Sequence, residues 1–84
     1  MMIQAQISLY PLKTQSLSEP IEELVRIISN YELKIATSSM STIVRGQSDE
    51  LFKACRDAFE KLSEKYKIVL DLKMSNACPL ESKS

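Results

Sequence analysis

Hydrophobic and polar residues alternate strictly between Met2 and Tyr10. A period of two is typical of a β-strand that has one covered face and one open face. We expect Pro11 to end this strand. The covered face would carry Ile3, Ala5, Ile7 and Leu9, and the open face would carry Gln4, Gln6, Ser8 and Tyr10.

Two later segments repeat their apolar residues at helical spacing. In the first, SEPIEELVRIISNYE, Pro20 suits the first turn, and Glu22 and Glu23 complement the helix dipole. In the second, Ser48 is a favourable N-cap. The apolar face of that second helix consists of Leu51, Cys55, Ala58, Leu62 and Tyr66, flanked by Phe52 and Phe59. Cys55 is therefore expected to be a small core residue.

Three more strands are predicted, over residues 33–37, 42–45 and 68–74, with the third strand of the chain ending at Gly46. The order β-α-β-β-α-β predicts an α+β protein with the ferredoxin-like plan. In that plan both helices cover one face of a four-stranded antiparallel sheet. Residues 1–74 would form a single domain, and residues 75–84 a flexible polar tail. The uncovered sheet face would need a partner or a ligand.

Composition narrows the functional classes. The 84 residues include 11 basic and 11 acidic side chains and no His. Neither basic nor acidic residues form a run of five, so nucleic acid is not an expected partner. No apolar stretch approaches the length of a membrane span, and a cytoplasmic location is expected. With only Cys55 and Cys78, no metal site, cofactor or disulfide is predicted. The lack of His also argues against an enzyme.

Two short motifs resemble a known family. Tyr10-Pro11-Leu12 ends the first strand, and Met40-Ser41-Thr42 precedes Gly46. Together with the surrounding pattern, over residues 2–74, they resemble single-domain members of the YkoF-like thiamine-binding proteins. The resemblance implies a ferredoxin-like fold, association of subunits through their sheets, and binding of thiamine or a related pyrimidine compound. The chain departs from the family pattern at Ser38-Ser39, where Gly-Pro is common, and at Arg45, where an acid is common.

The hydroxyl-rich segment SSMST, residues 38–42, has two interpretations. Ser and Thr favour turns because they bond to nearby backbone, and the segment could be hairpin chemistry alone. Alternatively, its hydroxyls meet the ring nitrogens and amine of an aminopyrimidine, while Met40 supplies an apolar contact and Tyr10 stacks on a flat ring. The candidate ligand residues are Tyr10, Ser38, Ser39, Met40, Ser41 and Thr42. The sequence identifies no acidic partner for a cationic ligand.

A second group of residues is predicted at a subunit interface: Gln4, Gln6, Ser8 and Arg45. A chain of this size gains stability from extra burial, so a homodimer or homotetramer joined through the sheet is expected. Arg45 would pair with a carboxylate at that boundary, or, less favoured, hold a phosphorylated ligand. The preferred function is a carrier, buffer or sensor for thiamine or hydroxymethylpyrimidine. The alternative is an oligomeric regulatory or assembly module for another metabolite or a protein partner.

Overall fold

Six elements follow one another in the computed structural model, which describes residues 1–38 and 41–77. Their order is β-α-β-β-α-β, as predicted. The elements are β1 (Met2–Leu12), α1 (Ser18–Ile28), β2 (Leu33–Thr37), β3 (Thr42–Gln47), α2 (Ser48–Ser63) and β4 (Lys67–Ser75).

The four strands form one antiparallel sheet in the order β2-β3-β1-β4. β1 lies at the centre and pairs with β3 on one side and β4 on the other. Its register places Ile7 opposite both Thr42 and Leu72. This topology, with two helices, confirms the ferredoxin-like α+β fold.

The two faces of the sheet differ as the alternation in β1 predicts. Ile3, Ala5, Ile7 and Leu9 are buried, and Val44 of β3 extends the same face. The helices contribute the other half of this core: Leu24, Ile27, Ile28, Leu51, Ala54, Cys55, Ala58 and Leu62. Because burial follows the period of each element, both helices lie on the same face. The other face, which we call the open face, has no helix over it among the described residues.

β1 does not end at Pro11, as the sequence suggested. It continues to Leu12, and Pro11 lies opposite Ile68 of β4. The ladder between β1 and β3 ends at the pair of Ile7 and Thr42. Beyond that point β1 has a neighbour on one side only, and proline is tolerated in a strand that has an unpaired side.

The predicted N-cap of α2 is also corrected. Ser48 is the first helical residue, Gln47 holds the cap position in an extended conformation, and no side chain caps the helix. Instead, the Ser48 amide donates to the Met1 carbonyl oxygen at 2.9 Å. The Met1 amino group donates to Oε1 of Gln47 at 2.8 Å. Met1, the residue before β1, therefore satisfies the helix end that the sequence assigned to a serine hydroxyl.

At the other end of the chain, β4 extends to Ser75, one residue beyond the predicted domain boundary. Asn76 and Ala77 are exposed. The rest of the predicted tail, residues 78–84, lies outside the described residues, and Cys78 is among them.

Polar contacts join the two helical segments at the surface of the core. The Tyr31 hydroxyl donates to Oδ2 of Asp57 at 3.0 Å, and this hydrogen bond raises the pKa of Tyr31. Nζ of Lys65 lies 3.1 Å from Oε2 of Glu23. Cys55 is 8% exposed, which confirms it as a core residue, and this burial raises the pKa of its thiol. These groups lie among the helices and belong to the scaffold.

Gly46 lies where β3 passes close to the start of β2. A Cβ atom at this position would stand 2.6 Å from Cδ2 of Leu33 and 3.1 Å from the Glu32 carbonyl oxygen. The nearer atom belongs to a flexible side chain, but the carbonyl is backbone and cannot move without shifting β2. The glycine therefore allows the approach of the two strands.

We predict that Gly46→Ala lowers the free energy of unfolding by about 1 to 3 kcal/mol, the usual cost of forcing extra volume into a packed site. Urea unfolding followed by circular dichroism measures it. The same substitution in a Leu33→Ala background should cost less, since the nearest atom is then gone. A Gly46→Ala protein as stable as the parent would contradict this packing.

Candidate functional site

A cleft lies between α1 and the end of the hairpin formed by β2 and β3. Ser18, Ile21, Glu22 and Val25 share one face of α1 because they are three and four residues apart. That face borders the end of β2. The cleft has a volume of about 520 Å³ and is lined by Leu17, Ser18, Ile21, Glu22, Val25, Thr37 and Ser38. Pockets of about 300 to 1,000 Å³ are the usual size for small ligands.

Ser38 is held in place by its own hairpin. Its backbone amide donates to the Ser41 carbonyl oxygen at 2.9 Å, and its hydroxyl donates to the same oxygen at 3.1 Å. The hydroxyl proton is thus committed, while both lone pairs of Oγ are left to accept. An exposed Ser38 hydroxyl is therefore oriented as an acceptor for a ligand N–H group.

A small void lies under the cleft and shares Ile21 and Ser38 with it. Its volume is about 10 Å³, which is close to the minimum for one water molecule. Ser41 and Thr42 line this void, and Thr42 is only 2% exposed. The two hydroxyl residues therefore lie next to the cleft rather than in its lining, with Ser41 the more accessible.

The structure separates two of the predicted ligand residues. Thr42 is opposite Ile7 and faces the helices, whereas Tyr10 lies on the open face opposite Val69, with 49% of its surface exposed. Within one chain the sheet stands between the two side chains. Ser39 and Met40 lie outside the described residues. Of the six candidates, Ser38, Ser41 and Thr42 are the ones brought together in the described part of the chain.

Glu22 is the charged cleft residue that sequence reasoning missed, and Thr37 was missed as well. The sequence suggested only that Glu22 complements the helix dipole, yet its side chain lines the same cleft as Ser38. The spacing of Glu22 from Ser18 and Val25 was the available signal. It becomes informative only when β2 is known to pack beside that face of α1. An acidic group, three hydroxyls and an apolar wall suit an organic cation that also carries N–H donors.

The predicted interface residues lie on the open face. Gln4 is opposite Arg45, and Gln6 is opposite Ile43. Ser8 is opposite Asp71 of β4, and its small side chain is 8% exposed between larger neighbours. Because Arg45 lies on this face, its charge does not enter the cleft beside Glu22.

Within residues 1–38 and 41–77, no group of three or more His, Cys, Asp or Glu residues is arranged to hold a metal ion. None of the described helices is long and apolar enough to cross a membrane.

A family model described as "Thiamine-binding protein" matches residues 5–78. The chain belongs to this family. The matched range includes β1 from Ala5 onward, both helices and the hairpin, and therefore the whole of the cleft.

UPF0045 protein MJ1052 of Methanocaldococcus jannaschii is a relative of this protein. It is 32% identical over 72 residues, which cover 83% of this chain and 72% of the relative. The crystal structure of MJ1052 superimposes with a TM-score of 0.86 at 27% identity, over 98% of this chain and 91% of that one.

Two other solved structures have the same fold at lower identity. Streptococcus pneumoniae SP2199 has a TM-score of 0.84 at 18% identity, over 99% of this chain and 97% of that one. TM0486 of Thermotoga maritima, named as a candidate thiamine biosynthesis/salvage protein, has a TM-score of 0.85 at 20% identity, over 99% of this chain and 95% of that one.

Proposed function

We propose that this protein binds thiamine or a related hydroxymethylpyrimidine compound in the cleft between α1 and the β2–β3 hairpin. It would act without catalysis, as a carrier, buffer or sensor in thiamine supply. The observation that carries the proposal is the meeting of Glu22, Thr37 and Ser38 at one cleft in a chain of the thiamine-binding family.

The chemistry of thiamine matches the lining of the cleft. Thiamine carries a positively charged thiazolium ring and a flat aminopyrimidine with an exocyclic amine. The Glu22 carboxylate would stabilise the positive charge, and the Ser38 hydroxyl, with its lone pairs available, would accept from the amine. Leu17, Ile21 and Val25 would contact the ring faces. TM0486, which shares the fold, is named for thiamine biosynthesis or salvage, and this supports the same ligand class.

Binding without chemistry is the simplest use of this lining. The chain has no His, and the cleft brings together one carboxylate, hydroxyls and apolar side chains. General acid–base catalysis at neutral pH uses groups with pKa values near 7, most often His. A single carboxylate opposite a cation serves as a counter-charge rather than as an acid or a base.

The proposal also includes self-association through the open face, as a homodimer or homotetramer in the cytoplasm. Met2, Tyr10, Leu12 and Val69 lie on this face by their register, and each is at least 40% exposed. Exposed apolar side chains that share one sheet face support a protein interface. A second chain on that face would add burial to a domain of 84 residues.

We predict that thiamine binds to the parent protein and that Glu22→Gln weakens it about two- to fivefold, since Glu22 is exposed and a contact between exposed charges contributes about 0.2 to 1 kcal/mol. Titration calorimetry measures both dissociation constants. Glu19→Gln is the matched control, because it removes the same charge from α1 at a residue that does not line the cleft. Hydroxymethylpyrimidine, which has no thiazolium charge, should bind both variants equally.

The proposed ligand would be refuted by no heat and no thermal shift with thiamine, its phosphates or hydroxymethylpyrimidine at millimolar concentration. Equal losses in Glu22→Gln and Glu19→Gln would instead refute the cleft as the site while leaving the ligand class in place.

We also predict that Val69→Asp shifts the protein towards a 9.5 kDa monomer in sedimentation velocity, because it places a charge on the apolar part of the open face. Phe59→Asp is the control, since Phe59 is 44% exposed on α2, away from the sheet surface. A parent protein that sediments as a monomer at tens of micromolar would contradict association through this face.

A further inference from the structure

β4 is a long strand at one edge of the sheet. It runs from Lys67 to Ser75 and pairs with β1 on one side, and no described strand lies on its other side. The opposite edge is the shorter strand β2. An edge strand presents a row of backbone N–H and C=O groups with which another strand can pair. β4 therefore offers nine residues of backbone to a second chain.

The two faces of β4 differ in chemistry, because successive side chains of a strand point to opposite faces. Its charged residues share the open face: Lys67, Asp71 and Lys73. On the side of the helices, Ile68, Leu70 and Leu72 are half-buried against the core, and Met74 is 40% exposed. A strand added along this edge would cover the apolar side chains further and would have to accommodate the charges.

A second copy of β4 can add to this edge in the antiparallel direction, about a two-fold axis. Directly opposed residues then share a face of the sheet. With the axis at Leu72, Asp71 of each copy is opposite Lys73 of the other, which gives two pairs of opposite charge. On the side of the helices, Leu72 meets its own copy and Leu70 meets Met74. Both faces are therefore complementary in this register.

Neighbouring registers bring like charges together. An axis at Asp71 or at Lys73 places that residue opposite its own copy, and an axis at Leu70 places Lys67 opposite Lys73. Like charges at directly opposed positions destabilise a sheet, whereas opposite charges stabilise it. These three registers are therefore disfavoured.

One other register, with its axis at Val69, also matches opposite charges. It joins residues 67–71 of the two strands, whereas the axis at Leu72 joins residues 69–75. A longer pairing satisfies more of the backbone N–H and C=O groups along the edge. Charge and length together favour the axis at Leu72.

We propose that β4 pairs with β4 of a second copy of this chain about an axis at Leu72, which joins two four-stranded sheets into one sheet of eight strands. This contact uses the edge of the sheet, whereas the association included under the proposed function uses its open face. The two contacts are compatible, and a chain that makes both forms a tetramer. The edge contact does not depend on thiamine binding.

Charge exchange tests this register in a Tyr10→Asp background, which places a charge on the open face at a residue of β1 and so weakens association through that face. Sedimentation velocity is run at about hundreds of micromolar, because a contact along one strand is small and weak. We expect a dimer. Asp71→Lys and Lys73→Asp should each weaken it about tenfold or more, since each places like charges opposite each other twice.

Lys67→Asp is the matched control for Lys73→Asp. It makes the same charge change on the same face of β4, but Lys67 would be opposite Ala77 in the proposed register. The dimer should therefore be unchanged within about twofold. With the axis at Val69, the same substitution would bring it opposite Asp71 and weaken the dimer.

An equimolar mixture of Asp71→Lys and Lys73→Asp should regain the dimer, because each Lys of one variant then meets an Asp of the other. Recovery in the mixture also shows that both variants fold. If either fails to fold alone, the double variant Asp71→Lys/Lys73→Asp replaces the mixture and should dimerise like the background.

The proposal is overturned by a background variant that stays monomeric, by a mixture or double variant that does not dimerise, or by equal weakening in Lys67→Asp. If association through the open face does not occur, Tyr10→Asp behaves like the parent protein and the charge exchange still tests the edge. The two contacts can therefore fail separately.

Discussion

The alternating burial of β1 is the constraint on which the rest of the molecule depends. β1 is central, and its odd-numbered residues from Ile3 to Leu9 form the sheet side of the core. A slip of one residue would move this whole set to the open face and expose it. The register in turn decides which side chains of β2, β3 and β4 share a face. The contents of the cleft and of the open face follow from that division.

Periodicity was sufficient to predict the element order and the helix faces, because both are local properties of the chain. The topology followed from the plan that this order of elements favours. Element ends were less predictable, since they depend on contacts far away in sequence. Pro11 stays in β1 because β3 no longer flanks it, and Ser48 needs no cap function because Met1 accepts from its amide. Neither the end of the β1–β3 ladder nor the hydrogen bond to Met1 can be predicted from the local sequence pattern.

Only part of the candidate site could be predicted from the sequence, for the same reason. Ser38 and Thr42 were identified because hydroxyls cluster in one segment, but Glu22 joins them only through the packing of α1 beside the hairpin. The family motifs grouped Tyr10 with these residues, but the pleat of β1 places its side chain on the other face of the sheet. The chain has no net charge, yet the described lining of the cleft includes one acid and no basic residue.

Mapping the site at which thiamine binds in solution most directly tests the claim that the cleft beside α1 is the ligand site. In a ¹⁵N-labelled sample, titration with thiamine should shift the amide resonances of α1 from Ile21 to Val25 and those of Thr37 and Ser38. The amides of Tyr10 and Val69 should stay in place. Shifts confined to the open-face positions around Tyr10 and Val69, with α1 unchanged, would contradict the cleft as the ligand site.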